Sequence, residues 1–176
     1  MARVAYIEEE TTGDPVVRES FERMRAKRGK VTHIYKALAH RPEILGPMGP
    51  FVAAVQQAYD IDPRLKERII LRVSIVNGSA YCTHAHDQIS AKMGFTEDEI
   101  AAMRDPASAD LADDERAALV YAEELTRSPG DVSDAAFDEL RRHFDEPQIV
   151  EITMIAALYN MINRFNEALR LDPEAY

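Results

Sequence analysis

Apolar residues in this chain recur every three or four positions, in blocks separated by capping side chains, prolines and glycines, which is the pattern of amphipathic helices. No hairpin dipeptide such as Asn-Gly sits between two alternating strands. Asp14-Pro15 supplies an N-cap followed by proline at the first helical position, and Val17, Phe21 and Met24 then repeat at helical spacing until Gly29. A short helix is predicted over about Thr32–His40. Pro42, Pro47 and Pro50 interrupt the next segment, and Phe51–Tyr59 reads as part of one kinked or restarted helix.

Asp62-Pro63 repeats the cap-plus-proline device and opens a helix that should run to Asn77-Gly78. Leu65, Ile69, Ile70, Leu71, Val73, Ile75 and Val76 cover more than one of its faces, so it is expected to be central and buried. Further helices are predicted over Ser79–Met93, from the Thr96/Glu99 capping box to Met103, over Asp113–Arg127, over Asp134–Phe144 behind the Ser133 cap, and from Asp145 or Pro147 to about Leu171. Ile149, Ile152, Ile155, Ala156, Tyr159, Ile162 and Phe165 give the last helix a stripe suited to a core or a subunit contact. No linker, low-complexity tract or internal repeat is visible. The expectation is an all-α protein: one domain over 1–176, about eight or nine helices, with 1–13 as an extended N-terminal arm.

A 176-residue chain that is 46% hydrophobic fits that single globular core. Its formal net charge of −10 disfavours nonspecific binding to nucleic acid or to an anionic membrane. Residues 18–41 run against this balance with eight Lys/Arg, including Arg23, Arg25, Lys27, Arg28 and Lys30. That cluster reads as a solvated helix end ahead of a docking patch. Glu8, Glu9 and Glu10 stand where a signal peptide needs an apolar stretch, and no uncharged run reaches the ~18–20 residues of a membrane span, so a cytoplasmic protein is expected.

The chain has one cysteine, Cys82, which excludes an intramolecular disulfide, a Cys-rich zinc site and a self-contained Cys-x-x-Cys pair. Ser79, Cys82 and His86 are spaced to share one face of a helix beginning near Ser79. There Cys82 lies in the first turn, where unpaired N–H groups favour a thiolate, and His86 can exchange a proton with the sulfur. An antiparallel return of the preceding helix would bring Glu67 to the same face as orienter or relay. Taken on spacing alone, the flanking Arg64, Lys66 and Arg68 favour a solvated or paired carboxylate instead. A lone cysteine is also commonly a buried hydrophobe. His84 points about 160° from His86 and reads as a surface residue. A metal site of His84, His86 and Asp87 lacks the spacing of a helical zinc motif, and no metal or other cofactor is expected. Asn160, Asn163 and Arg164 are read as interhelical or intersubunit hydrogen bonding ahead of substrate contact.

The stretch Glu67-Arg68-Ile69-Ile70-Leu71-Arg72-Val73, followed by Asn77-Gly78-Ser79-Ala80-Tyr81-Cys82-Thr83-His84-Ala85-His86, resembles the signature segment of the carboxymuconolactone decarboxylase/alkyl hydroperoxidase D-like (AhpD-like) superfamily. Redox-active members carry a glutamate and then Cys-x-x-Cys-x-x-x-His. Glu67, Cys82 and His86 match the glutamate, the second cysteine and the histidine, and Ser79 stands at the first cysteine. Glu115-Arg116-Ala117-Ala118-Leu119 and the region from Ile149 to Phe165 are also similar to longer members.

The resemblance implies an all-helical AhpD-like fold, a homo-oligomer such as a trimer or hexamer, and a small-molecule substrate, either a hydroperoxide or a small organic acid. It further implies a peroxidase or thiol oxidoreductase with Cys82 as nucleophile, His86 as proton partner, Glu67 as relay and Ser79 as hydrogen-bond donor. A serine cannot resolve a sulfenic acid, so the reductant would be an external thiol or a lipoyl-type dithiol. The alternatives are a decarboxylase or hydrolase in which Cys82 only lines the site and His86 does acid–base work, and a non-catalytic oligomeric member.

Overall fold

Asp14, Asp62, Ser79, Thr96, Ser133 and Asp145 each begin a helix with a side chain that satisfies a free backbone N–H group of the first turn. The computed structural model describes residues 1–106 and 110–174. Among them lie nine helices and no strand: α1 (Pro15–Arg28), α2 (His33–Leu38), α3 (Pro42–Gln56), α4 (Pro63–Val76), α5 (Ala80–Lys92), α6 (Glu97–Ala102), α7 (Asp113–Arg127), α8 (Asp134–His143) and α9 (Glu146–Leu169). Asp14 caps α1 by accepting the N–H of Val16 at 2.8 Å, and Asp62 caps α4 by accepting that of Arg64 at 2.6 Å. Thr96/Glu99 and Asp145/Gln148 form reciprocal capping boxes on α6 and α9. Gly78, at φ 65°, makes the left-handed turn that lets α5 return against α4.

Several helix ends fall short of the sequence reading: α2 stops at Leu38 and not His40, and α3 at Gln56 and not Tyr59. Of the kinked and restarted alternatives after Pro42 the structure has one helix, α3, with Pro47 and Pro50 inside it and Pro42 in its first turn. The last helix ends at Leu169, because Arg170 adopts a left-handed conformation at φ 52°. The Asp105-Pro106 loop continues into 107–109, outside the described residues.

Helix α4 is the centre of the bundle: every residue from Leu65 to Ser74 is buried, including four charged ones. It packs against α5, α7 and α9, and this group forms the larger apolar core with Ile69, Leu119, Ile152 and Ile155 fully enclosed. Helix α1 packs on α3, and α1–α3 enclose a smaller second core around Val17, Phe21, Tyr35 and Leu45. Both chain ends tie across the bundle. The Arg3 N–H donates to the Leu169 carbonyl at 2.8 Å, and that of Ile7 to the Lys36 carbonyl at 3.2 Å. Glu174 accepts the Tyr81 hydroxyl at 2.6 Å and the His33 N–H at 2.7 Å and pairs with Lys30. Among the described residues no helix is long and apolar enough to cross a membrane.

Candidate active site

The reactive side chains come from the tight α4–α5 turn. Ser79 is the N-cap of α5, its hydroxyl oxygen accepting the Cys82 N–H at 3.4 Å, so Cys82 occupies the first turn as its spacing requires. One turn later His86 faces back toward α4. There its Nδ1 meets Glu67 Oε1 at 2.7 Å, and both residues are buried, at 6% and 5% exposure. Ser90 adds a second donor to the same carboxylate oxygen at 3.4 Å. The solvated reading of Glu67 is thus overturned. Its basic neighbours are taken elsewhere: Lys66 by Glu151, Arg64 by Glu99, and Arg68 by Glu99 and Glu115.

With Nδ1 held by a carboxylate, the imidazole keeps its proton on that nitrogen and leaves Nε2 as the basic one. The ring stands edge-on to Tyr159, with centroids 5.0 Å apart. The Tyr159 hydroxyl accepts the side-chain N–H of Gln56 at 2.5 Å, and burial holds its pKa far above the ordinary phenol range.

His86, Cys82, Tyr159 and Gln56 all line one cavity of about 60 Å³. It lies at the seam of the two cores, with Met24, Tyr35 and Leu38 of the smaller one forming the opposite wall. Asn166, on α9, points its amide N–H at Cys82 Sγ from 3.2 Å, and its own Oδ1 is buried without a partner.

Burial pushes the Cys82 thiol up, against the lowering influence of the Ser79 and Asn166 side chains, while the charge of Glu167 raises it further. The helix start is in place, but desolvation outweighs it, so the resting group is a neutral thiol. Ser79 donates its single hydroxyl proton to Glu167 Oε1 at 2.9 Å. To donate to a thiolate instead, it would have to release that carboxylate.

His84 is exposed and bonded to Gln88. Asn160 spans Thr126, Asn77 and Arg164, and Asn163 Oδ1 accepts the Ser74 hydroxyl, so these polar groups of α9 join helices away from the cavity. No group of three His, Cys, Asp or Glu side chains among the described residues is arranged to hold a metal ion. Asn166 and Gln56 were not singled out by the sequence. Each comes from a helix remote in the chain, and nothing in local spacing marks them.

Residues 49–124 match the model of the carboxymuconolactone decarboxylase family. The uncharacterised protein YdfG of Bacillus subtilis (strain 168) is 34% identical over 111 residues, 62% of this chain and 76% of that protein. Among solved structures, the alkylhydroperoxidase AhpD core of a peroxidase-related protein from Ralstonia eutropha JMP134 shares the fold, with a TM-score of 0.86 at 23% identity over 98% of this chain and 92% of that one. A cysteine-to-alanine variant of the debrominase Bmp8, in complex with 2,3,4-tribromopyrrole, superposes with a TM-score of 0.87 at 23% identity, covering 99% of this chain and 95% of that one.

Proposed function

Because the chain belongs to the carboxymuconolactone decarboxylase/AhpD-like superfamily, we propose that it is a one-cysteine, thiol-dependent peroxidase. The fold alone does not select a chemistry, since its neighbours include a peroxidase-related protein and a debrominase. The observation that carries the proposal is local. The Cys82 thiol and the His86 ring open on the same cavity while Glu67 fixes the ring's other nitrogen.

In this reading the neutral thiol gives its proton to His86 Nε2 as a hydroperoxide enters, and Glu67 stabilises the imidazolium. The thiolate attacks the terminal peroxide oxygen and the O–O bond breaks. His86 returns the proton to the departing alkoxide, so Cys82-SH and ROOH become Cys82-SOH and ROH. Two external thiols, or one dithiol, then reduce the sulfenic acid, releasing water and a disulfide and restoring Cys82-SH. Asn166, already bonded to the sulfur, supports the thiolate as it forms.

A second reading is favoured by the raised thiol pKa: acid–base chemistry on a small organic acid, with His86 acting and Cys82 only lining the cavity. Steady-state kinetics with an alkyl hydroperoxide and a dithiol separate the two. Peroxide turnover should vanish in Cys82→Ala and fall about 10²- to 10⁴-fold in His86→Ala, and wild-type turnover no faster than that of Cys82→Ala overturns the proposal. Activity on an organic acid that survives Cys82→Ala but not His86→Ala establishes the second reading.

The proposal includes a homo-oligomer, supported by Val150, Met154 and Met161, which lie exposed on one face of α9. Sedimentation of Met154→Glu should show a smaller species than the wild type, and a wild-type monomer would refute the assembly.

A further inference from the structure

The basic run of α1 is not uniformly solvated. Arg23 pairs with Glu19, Arg25 with Glu9, and Lys30 with Glu174. Between them Lys27 and Arg28 have no ion-pair or hydrogen-bond partner among the described residues. Both line a second cavity of about 190 Å³ between α1 and α3. Arg28 and Gln56 line that cavity, the one at Cys82, and a third of about 200 Å³ that reaches Glu67 and His86 from the other side. Arg28 and Gln56 therefore form a wall common to three cavities, one holding Cys82 and His86 and another Glu67 and His86. Its charge is felt by the hydroxyls of Tyr35 and Tyr159, on opposite walls of the inner cavity. Around it the walls are apolar, contributed by Met24, Met48 and Val52.

A protein of net charge −10 has carboxylates to spare, yet these two cations at a cavity mouth are left unpaired. A half-buried guanidinium with free donors beside apolar walls is matched by a ligand with a carboxylate at one end and a hydrocarbon body. Resting on the proposed function of the same site, we propose that Arg28, backed by Lys27 and Gln56, forms an anion-binding vestibule to the Cys82/His86 cavity. The substrate is then a small organic anion whose carboxylate rests on Arg28 while its apolar, reactive part enters between Cys82 and His86. The positive mouth also draws such anions in against the acidic remainder of the surface.

Two measurements test this, one independent of turnover. Nuclear magnetic resonance titration with hexanoate and with neutral hexanamide should show hexanoate binding around Arg28 and hexanamide binding weakly. Arg28→Met should weaken hexanoate about 10- to 100-fold, the range for losing a hydrogen-bonded charge, and Arg28→Lys should weaken it less. Equal binding of the two probes, no binding of hexanoate, or binding that survives Arg28→Met overturns the vestibule. In the second measurement, a short-chain hydroperoxy acid and its methyl ester are compared as substrates with a dithiol reductant. The wild type should prefer the acid in kcat/KM, and Arg28→Met should bring the acid-to-ester ratio toward one. No preference in the wild type overturns the assignment of the substrate as an anion. Turnover of neither compound, with hexanoate still bound through Arg28, instead overturns the peroxidase reading and leaves the vestibule standing.

Discussion

Helix α4 carries four buried charges, and they divide into two kinds. Lys66, Arg68 and Arg72 are locked to carboxylates of α6, α7 and α9. Arg72 is also closed off by the Met103 and Arg104 carbonyls, each at 3.0 Å. Glu67, between two of these cations in sequence, turns to the other side of the helix and pairs with a histidine that lines a cavity. The first three pairs join carboxylates to Lys or Arg. In the fourth the partner is an imidazole, a side chain suited to acid–base work, and space is open beside it. One helix thus holds the bundle together on one side and presents an acid–base pair on the other. Burial of charge does not by itself mark a functional group; what marks it is a titratable partner and an unfilled volume next to it.

The contrast can be broken from either side. Removing one partner of a closed pair leaves a buried charge uncompensated, so Arg72→Met should cost about 3–5 kcal/mol in chemical denaturation while peroxide turnover by the folded fraction is retained. His86→Ala also leaves a buried carboxylate without its partner and should cost stability, but the protein that remains folded should turn over about 10²- to 10⁴-fold more slowly. Glu67→Gln should fall between, because the ring stays in place but loses the carboxylate that supports its charged form. If Arg72→Met abolishes turnover in folded protein, or folded His86→Ala keeps wild-type turnover, the division within α4 is wrong.

The closed pairs also set the response to acid. The Thr96 N–H, together with Arg64 and Arg68, holds Glu99 down to about 2, and Glu123 is lowered because Arg72 and Arg127 outweigh its burial. Both carboxyls titrate lower in the folded chain than in the unfolded one. As pH falls the unfolded chain therefore binds these protons first, and the stabilisation, complete above the ordinary carboxylate range, is lost toward about 2 for Glu99. Thermal unfolding followed from neutral pH into this window should show a falling midpoint, and Glu99→Gln should flatten the fall. An equally steep fall in Glu99→Gln would assign acid sensitivity to other groups.

The smallest effects concern the cysteine. Ser79→Ala removes the α5 cap and should cost about 1 kcal/mol. Both it and Asn166→Ala remove polar side chains that lower the thiol pKa, so the pH at which Cys82 becomes half-reactive toward iodoacetamide should move upward. A downward shift would mean that these side chains favour the neutral thiol.

Most helix boundaries were legible because their signals are local: Asp14-Pro15, Asp62-Pro63, Thr96 with Glu99, and the glycines after α1 and α4. Helix α3 was less so, since three prolines in nine residues left a kinked and a restarted helix both open, and two of them are accommodated inside one helix. At the site, spacing alone placed Ser79, Cys82 and His86 on one helix, and resemblance pointed to Glu67. The partnership of Glu67 with His86 depends on how α5 returns against α4, which neighbouring Lys and Arg residues obscure in sequence. Gln56, Asn166 and Arg28 reach the cavity from α3, α9 and α1, and long-range convergence of this kind leaves no local periodicity to read.

The seam between the two cores carries a consequence for how this scaffold can be altered. The acid–base pair and the cysteine belong to the α4–α5 turn, packed into the larger core, whereas Met24, Arg28, Tyr35 and Leu38 belong to α1 and α2 and rest on their own apolar cluster. The two groups touch only through the cavity and the shared neighbours Ile34, Met48 and Phe165, so coupling between them runs through those few contacts. Substitutions on α1 and α2 that spare Ile34 can therefore reshape what is admitted while Glu67, Cys82 and His86 stay on their own helices. A library confined to these two helices would search new specificities on an unchanged reaction centre, and it would touch none of the residues, 49–124, that match the family.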